Sequence, residues 1–274
     1  MLRWLQSLRG KPTGGLRRPV PDALWQTTLH AYPFLSRHGA GSLEVLRTLT
    51  SRFLAQKEFH GAGGLQITDP MAVAIAAQAC LPVLAIAGPR QGLAWYDDFV
   101  GIVVHPGAVL AARESVDDAG VVHAWQEELS GEAMQDGPVT LSWQDVSDAG
   151  RTAGDGYNVV IHEFVHKIDM RGGDADGCPP LPAGFMGATT AGQARRNWLA
   201  NLQAHYLDYC DKISLAERFG GPPVWLDTYA SVSIDEFFAV ASEAYFVSPA
   251  QFGRDFAGLA PMFDAFFGAI TPAG

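Results

Sequence analysis

His162, Glu163 and His166 form the pattern H-E-x-x-H inside the stretch Asn158-Val159-Val160-Ile161-His162-Glu163-Phe164-Val165-His166-Lys167-Ile168-Asp169. On a helix, a four-residue spacing puts both imidazoles on one face, one turn apart. Two neutral imidazoles aimed at one point can hold a zinc ion, and a carboxylate beside them can act as a general base. The flanking residues Val159, Val160, Ile161, Phe164, Val165 and Ile168 are apolar. The helix is therefore expected to be buried, with the metal at the floor of a cleft. A three-residue pattern can also arise by chance, with both histidines ordinary core or surface residues. The apolar surroundings argue against a solvated helix.

A catalytic zinc keeps three protein ligands and one open position, so a third ligand must be found. The H-E-x-x-H-x-x-G-x-x-H arrangement needs Gly at 169 and His at 172, where this chain has Asp169 and Gly172. A Glu about twenty residues past the second His is also missing, because no Glu occurs between Lys167 and Ala216. Asp169 shares the face of the motif two turns on from His162, where it is expected to orient the next loop. His205 has no neighbour at ligand spacing and is read as structural. Glu236 and Glu243 lie seven residues apart on one face of an apolar predicted helix. Burying an unpaired charge is costly. Ligation of zinc by one carboxylate, and a hydrogen bond from a ligand histidine to the other, would compensate. The spacing does not say which does which. Ser233-x-x-Glu236 also matches a capping box, in which Glu236 would fold back on its own helix start.

The elements that must carry these residues can be read in order. Residues 21–34 read as a helix ended by Pro33, and 42–59 as a second helix with Ser42 as its cap. Residues 65–68 read as a short strand. Met71 to Gly88 is almost as long and apolar as a membrane span, but Gln78 and Pro82 interrupt it. Asp69-Pro70 looks like a cap followed by a first-turn proline, which predicts a buried helix over 70–81 and a strand over 82–86. Strand formers crowd 93–105 and recur over 121–129. Residues 137–146 alternate, with Leu141 to Trp143 expected as a sheet edge able to take an extended peptide as a further strand. A polar loop is expected over 147–156 and another over 171–192. Helices are expected over 193–219 and 234–247, with one or two short ones over 249–267.

The net charge of −10 argues against a nucleic-acid binder, whose affinity rests on basic phosphate contacts. The three cysteines, Cys80, Cys178 and Cys210, are far apart and odd in number, which fits a reducing, cytoplasmic setting rather than a disulfide framework. Residues 1–20 are a basic lead-in, expected to be a mobile tail without the apolar core of a secretory signal. Residues 21–274 are expected to form a single catalytic domain. Neither a membrane nor a nucleic acid is an expected partner.

The stretch H-E-F-V-H-K-I-D-M, the downstream Tyr229-Ala230, and the block Glu236-Phe237-Phe238-Ala239-Val240-Ala241-Ser242-Glu243-Ala244-Tyr245-Phe246 resemble the Mlc titration factor A family. Those proteins are cytoplasmic bacterial zinc peptidases related to the catalytic domain of anthrax lethal factor. The resemblance runs over most of the chain from about residue 21. It implies an α+β, zincin-like fold: a small mixed sheet with an edge strand above the active-site helix, and a mainly helical C-terminal part. It also implies one Zn2+ held by His162, His166 and Glu236, with Glu163 as the base and Tyr229 facing the site. Glu243 and Asp169 would then support the site from behind. Aminopeptidase-like action on small peptides follows from the same resemblance. The rival expectation is a regulatory protein that sequesters a transcriptional repressor of the Mlc type, with incidental peptidase activity.

Overall fold

The computed structural model describes residues 19–116 and 122–269. Helix α1, Asp22–Ala31, stops before Pro33, whose ring cannot continue a helix; a short 3-10 turn, Pro33–Arg37, follows. Helix α2, Ala40–Gln56, begins after Gly39 rather than at Ser42 and buries Leu46, Leu49, Phe53 and Leu54. It ends earlier than its apolar stripe suggests. Lys57 breaks from helical geometry, and its ammonium is captured by the carbonyls of Tyr96 and Phe99. The chain then forms strand β1, Glu58–Gly61. The strand expected over 65–68 is absent, because the Thr68 side chain instead accepts from Met71 N at 3.4 Å and caps helix α3, Asp69–Cys80. Thr68 is thus the cap, and Asp69 and Pro70 lie in the first turn. Every residue from Met71 to Cys80 is buried, which accounts for a run that mimics a membrane span. Among the described residues no helix is long and apolar enough to cross a membrane. Residues 82–86 make turns instead of the expected strand. Pro82 has no N–H to offer a ladder, and Ala87 N donates to Phe266 O at 2.6 Å, tying this stretch to the C-terminal helices.

Strand β2, Gly101–His105, follows a 3-10 turn at Gly92–Tyr96. Strands β3, Val109–Val116, and β4, Val122–Leu129, pair antiparallel as a separate ribbon. Strands β5, Gly131–Ala133, and β6, Val139–Ser142, complete the main sheet in the order β1-β2-β6-β5. β1, β2 and β6 run parallel, and β5 is antiparallel to β6. The fold is α+β with a small mixed sheet, as expected, but the expected edge is wrong. β6 is an interior strand, and the short β5 is the edge. The alternating pattern also does not continue through Trp143. The Ser142 hydroxyl accepts from Asp145 N at 3.3 Å and starts helix α4, Trp143–Thr152, across most of the expected loop.

The remaining helices are α5, Val159–Asp169; α6, Ala191–Phe219; α7, Ile234–Val247; α8, Pro249–Asp255; and α9, Ala260–Phe267. α7 packs along α5, and α3 packs on α5 from another side. Trp198, Phe238, Phe263, Phe266 and Phe267 interlock behind α7 in edge-on and stacked pairs. The expected N-terminal tail lies, up to residue 18, outside the described residues.

One charged residue sits where the motif suggests only apolar packing. Lys167, on the motif helix, is fully buried. Its ammonium lies 3.1 Å from Asp98 Oδ2 and donates to Met134 O at 2.8 Å, in the turn between β5 and β6. It also sits 4.6 Å from the Phe99 ring centre. Together with a longer bond to Gly137 O at 3.4 Å, the bond to Met134 O fastens the edge hairpin to α5, and the ion pair ties in the segment before β2. Lys167→Met should destabilise the protein by about 2–3 kcal/mol, because the Met134 and Gly137 carbonyls lose a buried donor while Asp98 keeps only Arg171, at 3.0 Å. Denaturant unfolding at neutral pH reads this, and a loss under about 1 kcal/mol, the range of exposed ion pairs, would show that the pair does not brace the fold.

Candidate metal centre

Asn158 starts α5 and is fully buried. Its Oδ1 accepts from Ile161 N at 2.9 Å, and its amide Nδ2 donates to Gln78 Oε1 on α3 at 2.7 Å. The Asn158 backbone N–H donates to Glu243 Oε2 on α7. The other oxygen of Glu243 lies 2.7 Å from His162 Nδ1. Gln78, Asn158, Glu243 and His162 thus form one buried polar chain through three helices. Sequence reading missed Asn158 and Gln78 as parts of the site. The available signal was a polar side chain at a helix start and another within an otherwise apolar helix, each needing a partner once buried.

The far side of His162 faces His166 and Glu236. His162 Nε2 lies 3.1 Å from His166 Nε2 and 3.1 Å from Glu236 Oε2, and His166 Nε2 lies 3.3 Å from the same carboxylate oxygen. The three could hold a metal ion. Bonds of about 2.0–2.1 Å in a tetrahedral arrangement put ligand atoms roughly 3.3 Å apart, which is the separation seen. Glu243 at Nδ1 holds the His162 ring so that Nε2 is the atom presented. Glu236 does not close the capping box. Ser233 Oγ accepts from Glu236 N at 3.4 Å, but the Glu236 carboxylate reaches the histidines instead of folding back.

The electrostatics suit a cation. Burial would raise the Glu236 pKa, but hydrogen bonds from His162 and His166 outweigh it and hold the carboxyl well below its usual range. Burial would lower His162, but Glu236 and Glu243 push it well above the ordinary imidazole value. These carboxylates favour a proton on the ring, and the same field favours a metal cation there. Glu243 is raised by burial, partly offset by its bond with His162. Glu163 is 5% exposed, and burial raises it to about 7 despite the nearby imidazoles.

Tyr229 sits on a 3-10 turn, Thr228–Ser231, with its hydroxyl 3.4 Å from Glu236 Oε1 and its ring centre 6.2 Å from that of His162. It is partly exposed rather than a core residue. Helix α6 holds this turn. Tyr209 Oη donates to Leu226 O at 2.8 Å, and Tyr206 Oη donates to Ser231 O at 3.0 Å. Both tyrosines lie among the apolar residues of α6, and their hydroxyls were the overlooked signal. Asp169 turns to the loop that follows α5. Its Oδ2 accepts from Asp176 N at 3.0 Å and Gly177 N at 2.7 Å. Burial raises its pKa to about 7, against the pull of these bonds. Asp169 thereby shapes the cleft wall at Ala175. His205 is half-buried on α6, its ring against Gly258 and its Nδ1 near Asn201 O, away from the converging atoms. The cleft measures about 710 Å3 and is bounded by Ser130 to Ala133 on one side and Asp227, Tyr229 and Asp235 on another.

A small mixed sheet whose short edge strand overlies a helix, with two histidines and a glutamate converging from two helices, is the arrangement of a zincin-like metallopeptidase. The chain belongs to the glucose-regulated metallo-peptidase M90 family, whose sequence model matches residues 8–268. It is 34% identical over 247 residues to a Salmonella arizonae protein named Mlc titration factor A, covering 90% of each chain. Proteins of the same name from Klebsiella pneumoniae and an Enterobacter species are each 34% identical, over 244 and 251 residues. Those matches cover 89% and 90% of this chain, and 84% and 87% of the relatives.

Proposed function

We propose that this protein is a cytoplasmic, zinc-dependent peptidase with aminopeptidase-like action, its catalytic unit spanning residues 21–274. The convergence of His162 Nε2, His166 Nε2 and Glu236 Oε2 beside a buried Glu163 carries this reading. His162, His166 and Glu236 would hold one Zn2+, which when bound lowers the pKa of water and polarises a carbonyl. Glu163, raised toward neutrality, takes the proton of the attacking water and returns it to the leaving amine. The Tyr229 hydroxyl donates to the developing oxyanion, and Glu243 keeps the His162 ring in place.

The edge strand would hold the substrate. Ser142 N donates to Ser130 O at 2.7 Å and Met134 N to Pro138 O at 3.4 Å, so the even-numbered residues of this stretch face β6. Gly131 and Ala133 then present their backbone groups outward, where an extended peptide can add as a strand. Two such residues grip a short segment. Glu132, Asp227 and Asp235 border the same cleft and suit a free terminal ammonium.

Zinc-loaded protein should hydrolyse unblocked di- and tripeptides, lose this activity to a chelator, and spare the N-acetylated forms. Equal cleavage of acetylated peptides would remove the aminopeptidase reading; no chelator-sensitive cleavage would remove the peptidase reading. The name shared by the relatives favours a second reading, in which the protein sequesters a repressor of the Mlc type. Metal-independent binding of purified repressor, without peptide cleavage, would favour it.

A further inference from the structure

Gly131 occupies the first position of β5, paired in register with Leu141. A Cβ placed there would lie 2.4 Å from Glu163 Oε1, 2.7 Å from its Cγ and 2.8 Å from its Cδ, the three nearest atoms. Carbon contacts relax at about 3.5–4.0 Å, so even a methyl group cannot share this space with the carboxyl as it lies. Backbone conformation does not explain the glycine. Gly131 is not among the residues with positive φ, and any residue can adopt its strand geometry. Nor can the two elements easily move apart, because Lys167 on the Glu163 helix grips the turn at the far end of β5.

We infer that Gly131 is a positioning residue for Glu163. The absence of a side chain at this one place in the edge strand lets the carboxyl lie against β5 beside the converging ligand atoms. The same strand that would hold the peptide thus sets the reach of the base toward it. The catalytic consequence rests on the peptidase reading above, but the packing consequence does not.

The test is a cycle of Gly131→Ala, Glu163→Ala and the double variant, read by thermal midpoint and zinc affinity, with peptide kinetics for Gly131→Ala. Gly131→Ala should bind zinc like the wild type and keep its KM while kcat falls about a hundredfold, the effect of misplacing a reacting group by about 1 Å. It should lower the thermal midpoint in the wild-type background. In the Glu163→Ala background it should lower nothing, because the colliding side chain is gone and alanine suits a strand better than glycine. An unchanged kcat in Gly131→Ala, or an equal fall of the midpoint in both backgrounds, would overturn the inference. If Glu163→Gln proved fully active, the peptidase mechanism would fail on its own, and the thermal cycle would still decide the packing claim.

Discussion

Glu163→Gln should remain folded and bind zinc, yet lose about 10³-fold or more in kcat toward an unblocked peptide, within the range general acid–base groups supply. The substitution keeps the shape of the side chain and removes its capacity to accept a proton. Glu163 is buried, and its carboxyl is raised to about 7 chiefly by that burial. A neutral amide in the same place relieves the desolvation cost, so stability should hold or rise. The loss should fall on kcat more than on KM, since proton transfer is felt only in the transition state. A variant that turned over at the wild-type rate with zinc bound would rule Glu163 out as the base.

Much of the site could be read in the chain because local signals agreed with the packing. The apolar run around His162 and His166 marks a buried helix, and α5 is one. Ser233 and Pro249 bracket α7, so its boundaries, Ile234–Val247, could be placed before its surroundings were known. The two carboxylates on that helix were recognisable as a pair needing buried partners. Which one turns to the metal side was not, because both lie on the face toward α5 and only the crossing of the helices separates them. Glu243 lies two turns further along α7, against His162 Nδ1 and the start of α5, and Glu236 reaches both Nε2 atoms.

Other features were hidden for definite reasons. Strand order is a long-range property, and a three-residue edge strand carries almost no periodicity. β5 therefore went unseen, and the more regular β6 was expected in its place. Ser142 is both the last position of β6 and the cap of α4, and the second role cannot be told from the alternation that marks the first. A lysine on an amphipathic helix normally faces water. Lys167 is buried because Asp98 and two carbonyls arrive from distant segments.

Glu236→Ala should do to metal binding what Glu163→Gln does to turnover. It removes one of three converging donors, leaves the two imidazoles, and takes away the carboxylate whose charge most directly faces them. Glu243 touches only the back of His162, and partners in that position change metal affinity by about 10–100-fold. The Glu236 variant should lose more than that. Calorimetric titration of the metal-free wild type, Glu236→Ala and Glu243→Ala with zinc tests the centre most directly. The wild type should bind one zinc per chain, Glu243→Ala should bind it more weakly, and Glu236→Ala should bind it weakest of the three. Wild-type affinity in Glu236→Ala, or no saturable binding by the wild type, would contradict the assignment of His162, His166 and Glu236 as the metal centre.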